Sequence, residues 1–137
     1  MKIFIDTGAF IALFVKSEIN HKKVAVKYKE YKQKRALFLT SNYILDELYT
    51  RLMYDFGKNI TYKVIQKLNK AKEEQQLRIL NIDETVFNKS IEVFIKFGDH
   101  KISFTDATTY ILIKDFQIDE IFTLDSDFKK IRIKTSF

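Results

Sequence analysis

Met1-Lys2-Ile3-Phe4-Ile5-Asp6-Thr7-Gly8 opens the chain, and its reading decides the fold. A short apolar run, Ile3-Phe4-Ile5, ends abruptly in a carboxylate, a hydroxyl and a glycine. Consecutive apolar residues without alternation read as a strand covered on both faces, as inside a parallel sheet. Asp6 then stands at the carboxyl end of that strand, where open α/β sheets hold their ligands. A plainer role for Asp6 or Thr7 is to cap the following helix. Three more acidic positions downstream tip the balance toward a site.

Outward from this stretch, apolar runs of strand length recur at 36–40, 77–82 and 121–124, with Ile131-Arg132-Ile133 as a short final edge strand. Between them lie helical patterns at 9–15, 18–35, 42–56, 61–76, 84–97 and 103–116. In the third helix, Ile44, Leu48 and Leu52 form one apolar row and Leu45, Tyr49 and Met53 the next. Asp46 and Glu47 lie outside that stripe, and helical geometry does not choose between them. Gly57-Lys58-Asn59 is the clearest helix stop. Val86, Phe87, Ile91, Phe94 and Ile95 are the expected buried side of the helix at 84–97.

Short strands alternating with longer helices indicate an α/β fold, a three-layer α/β/α sandwich on a mainly parallel sheet of four to five strands. Right-handed crossovers place helices on both faces. If the strand order reverses around the first strand, the first and fourth become neighbours, and Asp6 and Asp125 face one crevice.

With 137 residues and no linker, repeat or low-complexity segment, a single domain spanning 1–137 is expected. Hydrophobic residues make up 46% of the chain, which excludes disorder. No apolar run approaches the ~20 residues of a membrane helix, and Asp6 interrupts any secretory h-region. No membrane association and a cytoplasmic location are therefore expected. The absence of cysteine excludes disulfides, thiolate metal sites and cysteine nucleophiles. The net charge of +6 suits a polyanionic partner, although 20 of the 24 basic residues are lysines of the kind that solvate helix surfaces.

The acidic positions are Asp6, Glu47, Asp106 and Asp125, with Asp127 nearby. Each has an ordinary role open to it. Asp106 stands three residues after Ser103, a capping-box spacing. Asp125 and Asp127 flank a serine where a turn would place them. Glu47 is one helix glutamate among several. Together they differ from background, because they fall at strand ends and at the start of the helix that leads into the last long strand.

In order along the chain, Ile3-Phe4-Ile5-Asp6-Thr7, Leu45-Asp46-Glu47-Leu48, Ser103-Phe104-Thr105-Asp106-Ala107 and Phe122-Thr123-Leu124-Asp125-Ser126-Asp127-Phe128 resemble the four motifs of the PIN-domain nucleases. Among these the chain is most similar to the compact toxin ribonucleases of VapC type. The resemblance selects Glu47 over Asp46, and spaces the four acids 41, 59 and 19 residues apart. It implies a PIN-like, Rossmann-like sheet. It further implies that Asp6, Glu47, Asp106 and Asp125 are the catalytic, metal-binding set, with Asp127 as an outer or fifth ligand. Thr7 and Thr123 become candidate hydroxyls for positioning phosphate or water.

Chemistry supports that donor set. Mg²⁺ and Mn²⁺ prefer carboxylate oxygen and water. Clustered acids raise one another's pKa values unless cations neutralise them. One or two bound cations can generate hydroxide, orient it for in-line attack and stabilise the leaving oxygen. His21 and His100 lack metal-ligand spacing, no Gly-rich phosphate loop exists among three glycines, and no G-x-S-x-G motif is present.

The resemblance therefore implies a divalent-metal-dependent endoribonuclease acting on single-stranded or loop RNA. It also implies a homodimer with a cognate antitoxin as partner. Tyr43 or Tyr54 could stack bases or pack between protomers. An RNA-maturation nuclease without antitoxin and a non-cleaving PIN-like RNA- or protein-binding module are the alternatives. A receiver-type phosphoacceptor domain would need a mid-chain phosphoacceptor Asp and a lysine on a late strand, which the acid pattern does not supply.

Overall fold

The computed structural model describes residues 1–137. Four strands form the sheet: β1 (Lys2–Ile5), β2 (Leu37–Ser41), β3 (Leu77–Leu80) and β4 (Glu120–Phe122). Helices α1 (Thr7–Phe14) and α2 (His21–Gln33) connect β1 to β2, and α3 (Asn42–Phe56) and α4 (Lys58–Glu73) connect β2 to β3. Helices α5 (Glu84–Lys96) and α6 (Phe104–Asp115) lead to β4, and α7 (Asp127–Lys130) is a single turn after it.

Every strand pair is parallel, in the order β3-β2-β1-β4. The chain steps outward from β1 through β2 to β3, then returns to the opposite side of β1 for β4. Right-handed crossovers in opposite directions put α1–α4 on one face and α5–α6 on the other. Phe4, Ile3, Ile121 and Phe122 are fully buried between these layers, which accounts for the unbroken apolar runs. The order reversal falls between β1 and β4, where Asp6 N–H donates to Phe122 O at 3.0 Å. This is the topological switch point, the ligand-holding edge of such sheets.

Several sequence expectations change. Ile131-Arg132-Ile133 is not an edge strand: Arg132 takes φ 61°, and Ile133 N–H closes back on Phe128 O at 3.0 Å. The chain reaches the sheet edge slightly later, in one parallel bridge between Ile121 and Thr135. β4 stops at Phe122, so Thr123 and Leu124 lie beyond it, and β3 likewise stops at Leu80, short of Asn81 and Ile82.

The buried side of α5 is also different. Val86, Ser90 and Val93 face inward, while Phe87, Ile91, Phe94 and Ile95 are 38–73% exposed. Ser90 is small and donates its hydroxyl to Val86 O at 2.7 Å, so a polar residue fits the inner row. Phe87 and Phe94 turn edge-on to Phe104 of α6 at 5.0 and 5.7 Å.

Gly57 does end α3, and α4 starts directly after it, earlier than the expected residue 61. Its φ of 90° is a left-handed backbone that favours glycine.

Candidate active site

Each acid reaches the switch point on a separate segment. Asp6 occupies the N-cap position of α1, yet its side chain makes no capping bond. The carboxylate instead accepts a hydrogen bond from Thr123 Oγ1 at 2.7 Å on Oδ2. Glu47 lies on α3, half-buried, and its Oε2 accepts from Thr7 Oγ1 at 2.9 Å. Asp46, one residue away, is exposed and outside the cleft.

Asp106 fulfils its ordinary role as well. Its N–H donates to Ser103 Oγ and its Oδ2 accepts from Ser103 N–H, each at 3.0 Å, a complete capping box. The box fixes the carboxylate at the helix start rather than withdrawing it from the cleft. Asp125 N–H donates to Thr123 Oγ1 at 3.0 Å, and Asp125 Oδ1 accepts from Asp127 N–H at 2.8 Å. Asp127 Oδ1 pairs with Lys130 Nζ at 2.7 Å.

Asp6, Thr7, Glu47, Asp106, Asp125 and Asp127 line one open cleft of about 520 Å³. Within it, carboxylate oxygens of Asp106, Asp125 and Asp127 lie within 4.8 Å of one another. Thr123 stands behind the cleft wall, joining Asp6 to Asp125. Both threonine hydroxyls donate to carboxylates of the site, Thr7 to Glu47 and Thr123 to Asp6.

Burial pushes Asp6 up to about 6, and the charges of Asp106 and Glu47 add to the effect. Hydrogen bonds from the Thr123 side chain and the Thr7 backbone work against it. Asp106 is also raised, chiefly by burial, with Asp125 and Glu47 contributing and the Ser103 bonds opposing. Asp127 is held below the usual range, first by its hydrogen bond to Lys130. Burial therefore makes Asp6 and Asp106 harder to ionise than exposed carboxylates. The oxygen donors of the cleft fit Mg²⁺ or Mn²⁺ better than softer metals.

Neither histidine joins the donor set: His21 Nδ1 donates to Ala12 O at 2.7 Å, and His100 is exposed beside Phe97. Tyr43 and Tyr54 do not line the cleft either. Sequence reasoning missed two cations that do, Arg51 and Lys101. Neither pairs with a carboxylate within 4.0 Å, although acidic residues line the same cleft. Arg51 was discoverable, since it stands four residues after Glu47 on the same helix face. Lys101, in a left-handed loop position with φ 55°, left no such sign.

Residues 3–134 match the model of the PIN domain family. The fold is shared with the crystal structure of VapC20 from Mycobacterium tuberculosis, described as a toxin that cleaves the sarcin-ricin loop. That match has a TM-score of 0.79 at 20% identity, covering 96% of this chain and 95% of the other. PAE2754 from Pyrobaculum aerophilum also matches, with a TM-score of 0.60 at 15% identity, covering 93% of this chain and 82% of that one. No helix here is long and apolar enough to cross a membrane. With a family match that spans nearly all of its residues, the chain belongs to the PIN domain family of nucleases.

Proposed function

We propose that this protein is a divalent-metal-dependent endoribonuclease that cuts single-stranded or loop RNA. One observation carries the reading: Asp6, Glu47, Asp106 and Asp125, from four separate segments, converge on a single cleft at the switch point. In this reading they hold Mg²⁺ or Mn²⁺, with Asp127 as an outer ligand. A bound cation supplies charge neutralisation at the phosphate and lowers the pKa of water. The chain's own groups do the rest. Thr7 fixes Glu47, Thr123 fixes Asp6 and Asp125, and the Ser103 box fixes Asp106. Arg51 and Lys101, unpaired on the cleft wall, grip the phosphates that flank the cut.

The same reading makes the protein the cytoplasmic toxin component of a toxin–antitoxin pair, acting as a homodimer. The similarity of fold to VapC20 supports the toxin role. The exposed apolar face of α5 supports a second copy, because Ile91 and Ile95 are 44% and 73% exposed on one helix. The antitoxin would occlude the cleft and offer a basic side chain to the carboxylates.

Incubation with end-labelled structured and unstructured RNAs, in Mn²⁺, Mg²⁺ or EDTA, tests the proposal beside Asp106→Asn. Metal-dependent cutting that the variant loses is the expected result. Equal cutting by both proteins would remove the site from consideration. A non-cleaving module would bind RNA without cutting it in any metal.

A further inference from the structure

The hydrogen bonds around Thr123 continue past the cleft. Because β4 ends at Phe122, the Thr123 peptide has no backbone hydrogen-bond partner at its N–H or its C=O, although the residue is buried. One hydroxyl serves both groups. Ser136 Oγ accepts from Thr123 N–H at 3.2 Å and donates to Thr123 O at 3.2 Å.

The segment that carries Ser136 is fastened by other means. Ile121 N–H donates to Lys134 O at 2.9 Å, and Ser136 N–H donates to Ile121 O at 3.0 Å. Lys134 Nζ pairs with the buried Glu120 at 3.2 Å. The Phe137 ring packs against Phe122 at 6.3 Å, with the Lys23 ammonium 4.2 Å from its centroid. These contacts dock the segment without the Ser136 hydroxyl, which also faces the buried Tyr31 phenol and makes its two backbone bonds to Thr123.

We infer that Ser136 is a positioning residue of the acidic site, acting through Thr123. By satisfying both ends of the Thr123 peptide it sets the hydroxyl that donates to Asp6 and accepts from Asp125. Without it, two buried peptide groups lose their partner, and Thr123 must shift to recover hydrogen bonds. Asp6 and Asp125 then lose a common anchor, and the cation they hold is bound less tightly. The inference rests on the metal-site reading above.

Outer-sphere partners of metal ligands are worth about 10–100-fold in affinity. One bond further out, a loss of about 3–10-fold is expected. The test is calorimetric titration of Mn²⁺ into the wild type, Ser136→Ala, Ser136→Thr, Thr123→Val and the Ser136→Ala/Thr123→Val double variant. Urea unfolding in EDTA accompanies each. Ser136→Ala should weaken Mn²⁺ by that factor, Ser136→Thr should restore it to within about twofold, and the alanine should add nothing in the Thr123→Val background. Wild-type Mn²⁺ affinity in Ser136→Ala with reduced stability in EDTA would show a structural role only and overturn the inference. So would an undiminished effect in the Thr123→Val background. Should Ser136→Ala fail to fold, Ser136→Cys, which weakens both bonds at similar volume, carries the same expectation. A wild type that binds no Mn²⁺ would overturn the metal site itself.

Discussion

The hydroxyl of Thr123 donates to Asp6 Oδ2 at 2.7 Å across 117 residues of sequence, joining the loop after the last strand to the end of the first. Even with that bond, burial holds the Asp6 proton up to about 6, against an ordinary 3.8. The folded protein then binds this proton more tightly than the unfolded chain does. The resulting stabilisation is complete below about pH 4 and is lost as pH rises through about 6, a change of roughly 3 kcal/mol for about two pH units. In EDTA, Asp6→Asn should therefore be more stable than wild type by about 1–3 kcal/mol at pH 8, with the difference closing toward pH 4. Urea denaturation at the two pH values measures it. Added Mn²⁺ should reverse the order at pH 8, because it stabilises only the protein that binds it.

Thr7 and Glu47 form the second hydroxyl–carboxylate pair, at 2.9 Å. Thr7 is buried, so valine fills its place while deleting the donor. Thr7→Val should lower kcat for RNA cleavage by about 10-fold or more, and Thr7→Ser should restore most of it. Steady-state kinetics on one RNA distinguishes this from a packing defect, which serine would not correct.

Arg51 and Lys101 line the acidic cleft without pairing to its acids. Each glutamine variant should raise KM several-fold with a smaller effect on kcat. It should also reduce the salt slope of RNA binding by about 0.7, the share of one phosphate contact on a single strand. An unchanged slope would place both side chains off the RNA path.

Four helices end in a left-handed residue that is not glycine: Arg35, Gln75, Gln117 and Arg132. At each, the next N–H closes on the carbonyl five residues back, as for Ile118 on Ile113 at 3.0 Å. Glycine there removes the cost of a side chain in that conformation. Gln117→Gly is exposed and should stabilise the protein by about 0.5–1 kcal/mol, read as a shift in the urea midpoint at unchanged slope.

These same ends explain what the sequence hid. Glycine normally marks a helix stop, and the chain has only three; Gly57 gave the end of α3 that the structure keeps. The turn at Arg132 had no visible marker, and the alternating Ile131 and Ile133 mimicked a strand. Both are buried, but around a reversal rather than along an extended edge. On α5, hydrophobicity was read as burial. The helix is apolar on more than its inner row, and a sequence cannot say which of two apolar faces meets the core.

The strands were legible because Ile3-Phe4-Ile5 and Ile121-Phe122 are buried on both faces and carry no alternation. Asp6 and Asp125 were legible as candidates because a carboxylate follows each of those runs. Glu47 was separated from Asp46 only by resemblance, and the structure gives the physical difference: Thr7 meets Glu47, while Asp46 is exposed. Ser136 could not be found this way. Its relation to Thr123 spans 13 residues and depends on where β4 stops.

In the proposed reaction, water activated at the carboxylate cluster attacks phosphorus. The most direct test is the chemistry of the cut ends, read by mass spectrometry after cleavage in ¹⁸O-labelled water with Mn²⁺. A linear terminal phosphate carrying one ¹⁸O, absent when EDTA is present, is the predicted result. A 2′,3′-cyclic phosphate formed equally well in EDTA would show attack by the RNA's own 2′-hydroxyl and rule out hydrolysis by water at this site.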